Sequence, residues 1–237
     1  MRKKAILIIG FIFIFTSVKA QTVEPEHFLK LPGVNGVSGL INNPGAYTAG
    51  HKNLTLGIHN FMFKANYGIF DILEAGVFFN FGQSSDLVEI LKGGAINIKA
   101  NILKEKEYYP AVSSGVQKIP FNMGESHNWD DFRLYAAASK SFSNISLTLG
   151  IKNKLIEGSS MEISNWEIFA DIAGVVDDTI MLIAEYDGEF LNAGAKISLN
   201  YNIAIDVFLI ELNNTEDTSG IGTFIEKHFR FGITYLQ

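Results

Sequence analysis

Leu73-Glu74-Ala75-Gly76-Val77-Phe78-Phe79-Asn80-Phe81-Gly82 sorts its side chains by parity: Leu73, Ala75, Val77, Phe79 and Phe81 fall on one side, Glu74, Gly76, Phe78, Asn80 and Gly82 on the other. Successive side chains of a β-strand point to opposite faces, so this stretch reads as a strand with one greasy face and one mostly polar or small. The same split recurs in Ile96, Ile98, Ala100 and Ile102 against Asn97, Lys99 and Asn101. It recurs again in Ile145, Leu147, Leu149 and Ile151 against Ser146, Thr148, Gly150 and Lys152, and in Phe229, Phe231, Ile233 and Tyr235 against Arg230, Gly232 and Thr234.

Extending this reading predicts about twelve strands, near 53–62, 64–70, 73–82, 94–103, 110–119, 132–142, 144–154, 165–175, 178–187, 190–199, 201–211 and 227–236. Ordinary globular strands run about five or six residues, whereas a tilted strand crossing a bilayer needs about nine to eleven, and most of these segments have the longer length. Connections after the even-numbered segments are tight, at Asp71-Ile72, 104–109, Ser143, Val176-Asp177 and Asn200. Those near 83–93, 120–131, 155–164 and 212–226 are long. Short periplasmic turns alternating with longer outer loops are the rhythm of an outer-membrane barrel. The fold class this predicts is all-β: a single antiparallel up-and-down transmembrane β-barrel of about twelve strands over 53–237. Trp166, Tyr186, Tyr201, Phe229 and Tyr235 stand near segment ends, as an interfacial belt requires. Gly188 supplies positive φ for a hairpin.

The chain before the barrel has two parts. Arg2, Lys3 and Lys4 precede an apolar run from Ala5 to Phe15, and Val18-Lys19-Ala20 suits signal peptidase, so 1–20 reads as a cleaved secretory signal and the protein as an exported one. Residues 21–52 do not alternate and are rich in Gly, Pro and Asn; they read as an irregular lead-in, lying in the periplasm or folding into the barrel mouth as a plug.

Composition closes off other classes. The 237 residues include no cysteine, which excludes thiolate metal sites, thiol redox motifs and cysteine nucleophiles. Losing Arg2, Lys3, Lys4 and Lys19 with the signal leaves 15 basic against 25 acidic side chains, a formal charge of −10, so nucleic acid is not an expected partner. No hydrolase elbow, phosphate loop, dinucleotide fingerprint or zinc-protease motif occurs, and His27, His51, His59, His127 and His228 lack ligand spacing. The expectation is a non-enzyme without cofactor or metal, with His127, Asp130 and Asp131 the one cluster compatible with a rim hydrolase.

Several stretches carry a resemblance: Gly39-Leu40-Ile41-Asn42-Asn43-Pro44 with Ala46, Tyr67-Gly68-Ile69-Phe70-Asp71-Ile72-Leu73-Glu74-Ala75-Gly76, Tyr109-Pro110-Ala111-Val112 with Gly115-Val116-Gln117, and Ala184-Glu185-Tyr186-Asp187-Gly188 with Phe190, Asn192, Ala193 and Gly194. In order and spacing, from about residue 36 to the C-terminus, the chain resembles the YjbH-type outer-membrane β-barrels associated with exopolysaccharide production. The resemblance implies a scaffolding or export role in envelope polysaccharide production, with the polysaccharide or its secretion apparatus as partner; the chain lacks the extra length of several members. The alternative is a small-solute or ion pore. A rim enzyme and a soluble lipocalin-like binder rank behind these. Outer-membrane lipid is an expected partner. So is the barrel-assembly machinery, since the terminal Phe229 to Gln237 segment resembles its recognition signal, although it ends in Leu-Gln.

If the apolar faces meet lipid, the opposite faces line a lumen carrying charges of both signs. The candidate network is Arg133, Lys152, Glu167, Asp171, Glu185, Asp187, Lys196, Asp206 and Arg230, with Glu74 and Lys99 on the same faces. Glu167, Asp171, Glu185, Asp187 and Asp206 form an acidic wall that either pairs with Arg133, Lys152 and Arg230 across the lumen or favours cations. Charges in a narrow lumen must be paired or hydrated, because an isolated one costs several kcal/mol or more.

Overall fold

A computed structural model describes residues 25–82, 86–121, 132–155, 163–214 and 221–237. The expected signal peptide, 1–20, and the His127, Asp130 and Asp131 cluster lie outside them. The strands are β1 (Leu54–His59), β2 (Met62–Ile69), β3 (Leu73–Asn80), β4 (Ala95–Leu103), β5 (Ala111–Pro120), β6 (Arg133–Phe142), β7 (Ile145–Leu155), β8 (Ile163–Val176), β9 (Ile180–Tyr186), β10 (Leu191–Ser198), β11 (Ile203–Leu209) and β12 (Phe229–Leu236). Each pairs antiparallel with the next, and β1 pairs with β12 from Thr55↔Leu236 to His59↔Gly232, closing an up-and-down barrel of twelve strands. Closure leaves no unpaired edge.

Two predicted irregular or extended stretches are helical. The loop near 83–93 contains α2 (Leu87–Lys92), started by Asp86, whose carboxylate accepts from the Val88 N–H at 2.9 Å. β12 starts two residues later than expected, because α3 (Ile221–His228) runs up to Phe229. Ile221, Phe224, Ile225 and His228 repeat at helical spacing, and His228 is buried with Nδ1 2.8 Å from the Ile210 carbonyl, which fixes the last turn against β11's end.

The short connections are tight because their residues accept left-handed backbone. Phe70 and Asp71 have φ of 53° and 58°, Asp177 and Asp178 have 57° and 54°, the pattern of mirror-image turns whose twist matches that of the flanking strands. Gly188, at φ +100°, turns the β9–β10 connection in a conformation closed to other L residues without strain.

The barrel is apolar outside and polar inside. Ile58, Ile98, Ile102, Leu149, Ile168, Leu182 and Ile233 are exposed on the outer face, whereas Lys64, Lys99, Lys196 and Asp206 are fully buried on the inner one. What buries them is the chain's own N-terminal segment. From His27 to Ala49 every residue is buried except Lys30, Asn35 and Asn42, which are half-buried. This plug enters beside the 199–202 turn, where α1 (Pro25–Leu29) sets the His27 ring 5.1 Å from Tyr201. It rises to a tip at Val34 and Asn35, folds back through the Pro32↔Ser38 and Gly39↔Pro44 bridges, and leaves at the same mouth, where the His51 N–H donates to Asp71 at 2.6 Å. Phe28, Leu31, Leu40 and Ile41 pack against Met181, Ile183, Phe208 and Leu236, an apolar sector of the inner wall. Eight-stranded barrels fill themselves with side chains; at twelve strands the wall is too wide to do so, and the plug occupies the difference.

Candidate functional site

An irregular segment inside a closed barrel cannot satisfy its own backbone, and buried N–H and C=O groups must find partners. The inner wall supplies them with ions, whose hydrogen bonds are stronger than those of neutral groups. Glu74 on β3 accepts from the Ser38 N–H at 3.0 Å, the Ser38 hydroxyl at 2.7 Å and the Ala49 N–H at 2.8 Å. Lys99, directly opposite it on β4, donates to the Ser38 carbonyl at 2.6 Å, the Tyr47 carbonyl at 2.8 Å and the Ser38 hydroxyl. Glu185 on β9 accepts from three consecutive plug amides, Ile41 at 3.0 Å, Asn42 at 2.9 Å and Asn43 at 3.1 Å, and from the Asn192 side chain at 2.9 Å. Lys196 on β10 donates to the Gly39 carbonyl at 2.9 Å, and Asp171 on β8 accepts from the Asn43 side chain at 2.5 Å.

Lys64 on β2 ties the plug into a relay. Its ammonium donates to the Gly33 carbonyl at 2.9 Å and to His59 Nδ1 at 2.8 Å. Because Lys64 can only donate, Nδ1 accepts, so the ring proton sits on Nε2 and is given to Asp206 at 2.8 Å. Gly232 makes room: a Cβ there would meet the His59 ring.

The nine lumen residues expected from sequence therefore divide into two levels. Asp171, Glu185, Lys196 and Asp206 are buried beside the plug. Glu185, Asp171 and Lys196 hold plug groups, and Asp206 takes the neighbouring His59. Arg133, Lys152, Glu167, Asp187 and Arg230 instead line a vestibule of about 370 Å³ at the long-loop mouth. Lys152 and Glu167 face each other on adjacent strands at 3.8 Å rather than across the lumen. Lys64, His59 and the plug's recipient carbonyls were not singled out by sequence. Parity could have found Lys64, which shares a face with Asn66 and Gly68.

The plug tip floors the vestibule: the Asn35 amide donates to the Asn42 carbonyl at 3.1 Å, and Asn42 in turn to Asp187 at 3.2 Å. Around the rim, the lining charges segregate. Lys118, Arg133 and Lys152 lie on β5, β6 and β7; Glu167, Asp187, Glu189 and Glu211 follow on β8, after β9 and after β11; Arg230 on β12 resumes the positive sign. Gln117 is buried beside Lys118, and its amide nitrogen has no partner among the described residues. No three His, Asp or Glu side chains converge as metal ligands among those residues.

At the opposite mouth a second cavity of about 620 Å³ is lined by Tyr47, Asn101, Lys104, Glu105 and Ser141. Here the plug is clasped by a turn. The Tyr47 hydroxyl donates to Glu105, which also accepts from the Ser141 N–H and from Lys140, each at 3.0 Å. Burial by itself would raise the Glu105 carboxyl, but these donors outweigh it and hold the group below its usual range. Tyr47 is pushed up by burial and then by Glu105. Burial, with the charges of Lys30 and Lys196, pulls His27 down to about 4.

A plugged, twelve-stranded β-barrel with an ion-bearing inner wall is the class these features define. Among solved structures it is similar to a KdgM porin, with a TM-score of 0.43 and 9% sequence identity over 77% of this chain and 96% of that one. No family model matches the chain, and no curated protein does.

Proposed function

We propose that this chain is an outer-membrane barrel that conducts small polar solutes when its plug is displaced. The observation that carries the reading is the chemistry of the inner wall. Its charges are bound to plug backbone, so withdrawal of residues 25–49 leaves a lumen lined by Lys64, Glu74, Lys99, Glu185 and Lys196, which water can fill. The same groups that satisfy the docked plug's backbone can be hydrated once it leaves, which an apolar wall could not be. The apolar outer surface supports membrane insertion, with strands rather than helices as the crossing elements. Short turns, α1 and Gln237 then face the periplasm, and the vestibule faces outward.

The test is conductance in planar bilayers. The intact chain is expected to be closed or to open rarely, and a variant lacking residues 25–49 to conduct steadily. Silence from a deletion variant that still migrates faster unboiled than boiled would sink the pore reading. A second reading, a scaffold in envelope polysaccharide export, draws support from the YjbH-type resemblance and from a plug fastened to β2, β3, β4, β9 and β10. It predicts loss of surface polysaccharide when the chain is removed and full rescue by a non-conducting form.

A further inference from the structure

We propose that the vestibule at the long-loop mouth is a binding site for small zwitterionic solutes of the amino-acid and short-peptide class. Three observations combine. The cup is closed below by the plug tip, through Asn35 and Asn42, so it can hold a solute without any opening of the lumen. Its volume, about 370 Å³, lies in the range of about 300–1,000 Å³ typical of small-ligand pockets. Among the described lining residues the charges are sorted rather than mixed: Lys118, Arg133 and Lys152 occupy one arc, and Glu167, Asp187 and Glu189 the next.

Sorting of this kind sets a field across the cup. A solute with a carboxylate and an ammonium group aligns with both arcs, whereas an anion or a cation alone is attracted by one and repelled by the other. Low-dielectric walls focus the field between them. Gln117 adds a buried amide at the cationic side whose nitrogen has no partner among the described residues. The site does not rest on the pore reading, because it is occupied from outside with the plug in place.

The test is calorimetric titration of the full-length, detergent-folded protein with glycylglycine, with N-acetylglycylglycine, which keeps only the carboxylate, and with the acetylated amide, which keeps neither charge. Glycylglycine is expected to bind at millimolar concentrations and the other two about tenfold more weakly. The double substitution Lys152→Glu with Glu167→Lys keeps the net charge and the 3.8 Å pair but reverses the boundary between the arcs, and is expected to weaken glycylglycine by a similar factor. Should that variant fail to fold, Glu189→Lys, at an exposed turn position of the anionic arc, is expected to weaken glycylglycine without weakening N-acetylglycylglycine. Absence of binding, equal binding of the anion-only peptide, or unchanged affinity in the charge variants would overturn the proposal. None of these readings depends on conductance.

Discussion

Replacing Glu185 by alanine tests whether the wall's ions hold the plug or merely tolerate it. Three plug amides, Ile41, Asn42 and Asn43, give their hydrogens to this one carboxylate at 2.9–3.1 Å, and all three lie inside the barrel. A buried donor stripped of its acceptor costs about 1–3 kcal/mol, so the substitution exposes the docked plug to a penalty of roughly 3–9 kcal/mol before relaxation. Two effects reduce it. Asp171 stands directly across from Glu185, and removing one of two neighbouring carboxylates relieves their repulsion. Water can also enter the space left by the side chain and accept from part of the triplet. A net loss of about 3–4 kcal/mol in docking is expected, a shift of roughly two to three decades in the docked-to-released ratio. Hydrogen exchange reads it directly: amides 41–43 should exchange about a hundredfold faster or more, and the conductance of the variant should show openings that the parent lacks. The barrel ladder should keep its protection, because Glu185 joins the ladder through its backbone and its side chain touches the wall only through the Asn192 amide. Unchanged exchange at residues 41–43, or equal loss of protection in plug and strands, would refute the reasoning that docking is a separate equilibrium held by wall charges.

Acid should act in the same direction. His27 sits near 4 in the docked plug and returns toward 6.5 when released, so the released state binds more protons between those values and docking weakens as pH falls through that window. Glu105, held below its usual range by Tyr47, Lys140 and Ser141, adds stability that is present above its ordinary value and lost as pH falls further. The open fraction in bilayers should rise from neutral pH toward about 4; a fall would contradict both assignments. Leu149, 60% exposed in the middle of β7's outer face, tests the membrane reading: Leu149→Arg should cost about 2–4 kcal/mol in folding into lipid vesicles, where a water-facing site would show almost none. Gly150→Val should lower the thermal midpoint by an amount equivalent to about 1–3 kcal/mol, since a Cβ there would run into the fully buried Phe169 ring.

The wall was legible in the sequence because a strand's two faces repeat every two residues, and the apolar set of β3, β4 and β12 follows that period without interruption, as does that of β7 up to Asn153. Its bounds were read to within about three residues: β1 ends at His59 rather than 62, and β12 starts at Phe229 rather than 227, where α3 precedes it. There a helical spacing of Ile221, Phe224, Ile225 and His228 coexists with the polar alternation that follows. The inward position of Glu74, Lys99, Glu185 and Lys196 was legible for the same reason. Their partners were not. Parity tells which face a side chain takes, whereas the N–H donors to Glu185 lie more than 140 residues away in a segment with no periodicity. The division of the charges into a buried level and a vestibule depends on where the plug tip stops, between Asn35 and Asn42, and no local pattern encodes that height.

The closing pair of the barrel joins β1 to β12, the first strand to the last, around a segment that precedes both. The N-terminal part of the chain is thus enclosed last. Until β9 and β10 are in place, the amides of Ile41 to Asn43 and the carbonyl of Gly39 lack their ionic partners, so the plug has no folded state of its own to wait in. Contacts of such sequence separation make assembly slow, and they tie plug docking to seam closure as one late event. A defect in the terminal strand would therefore leave both an open sheet edge and an unhoused N-terminal segment, two lesions from a single fault.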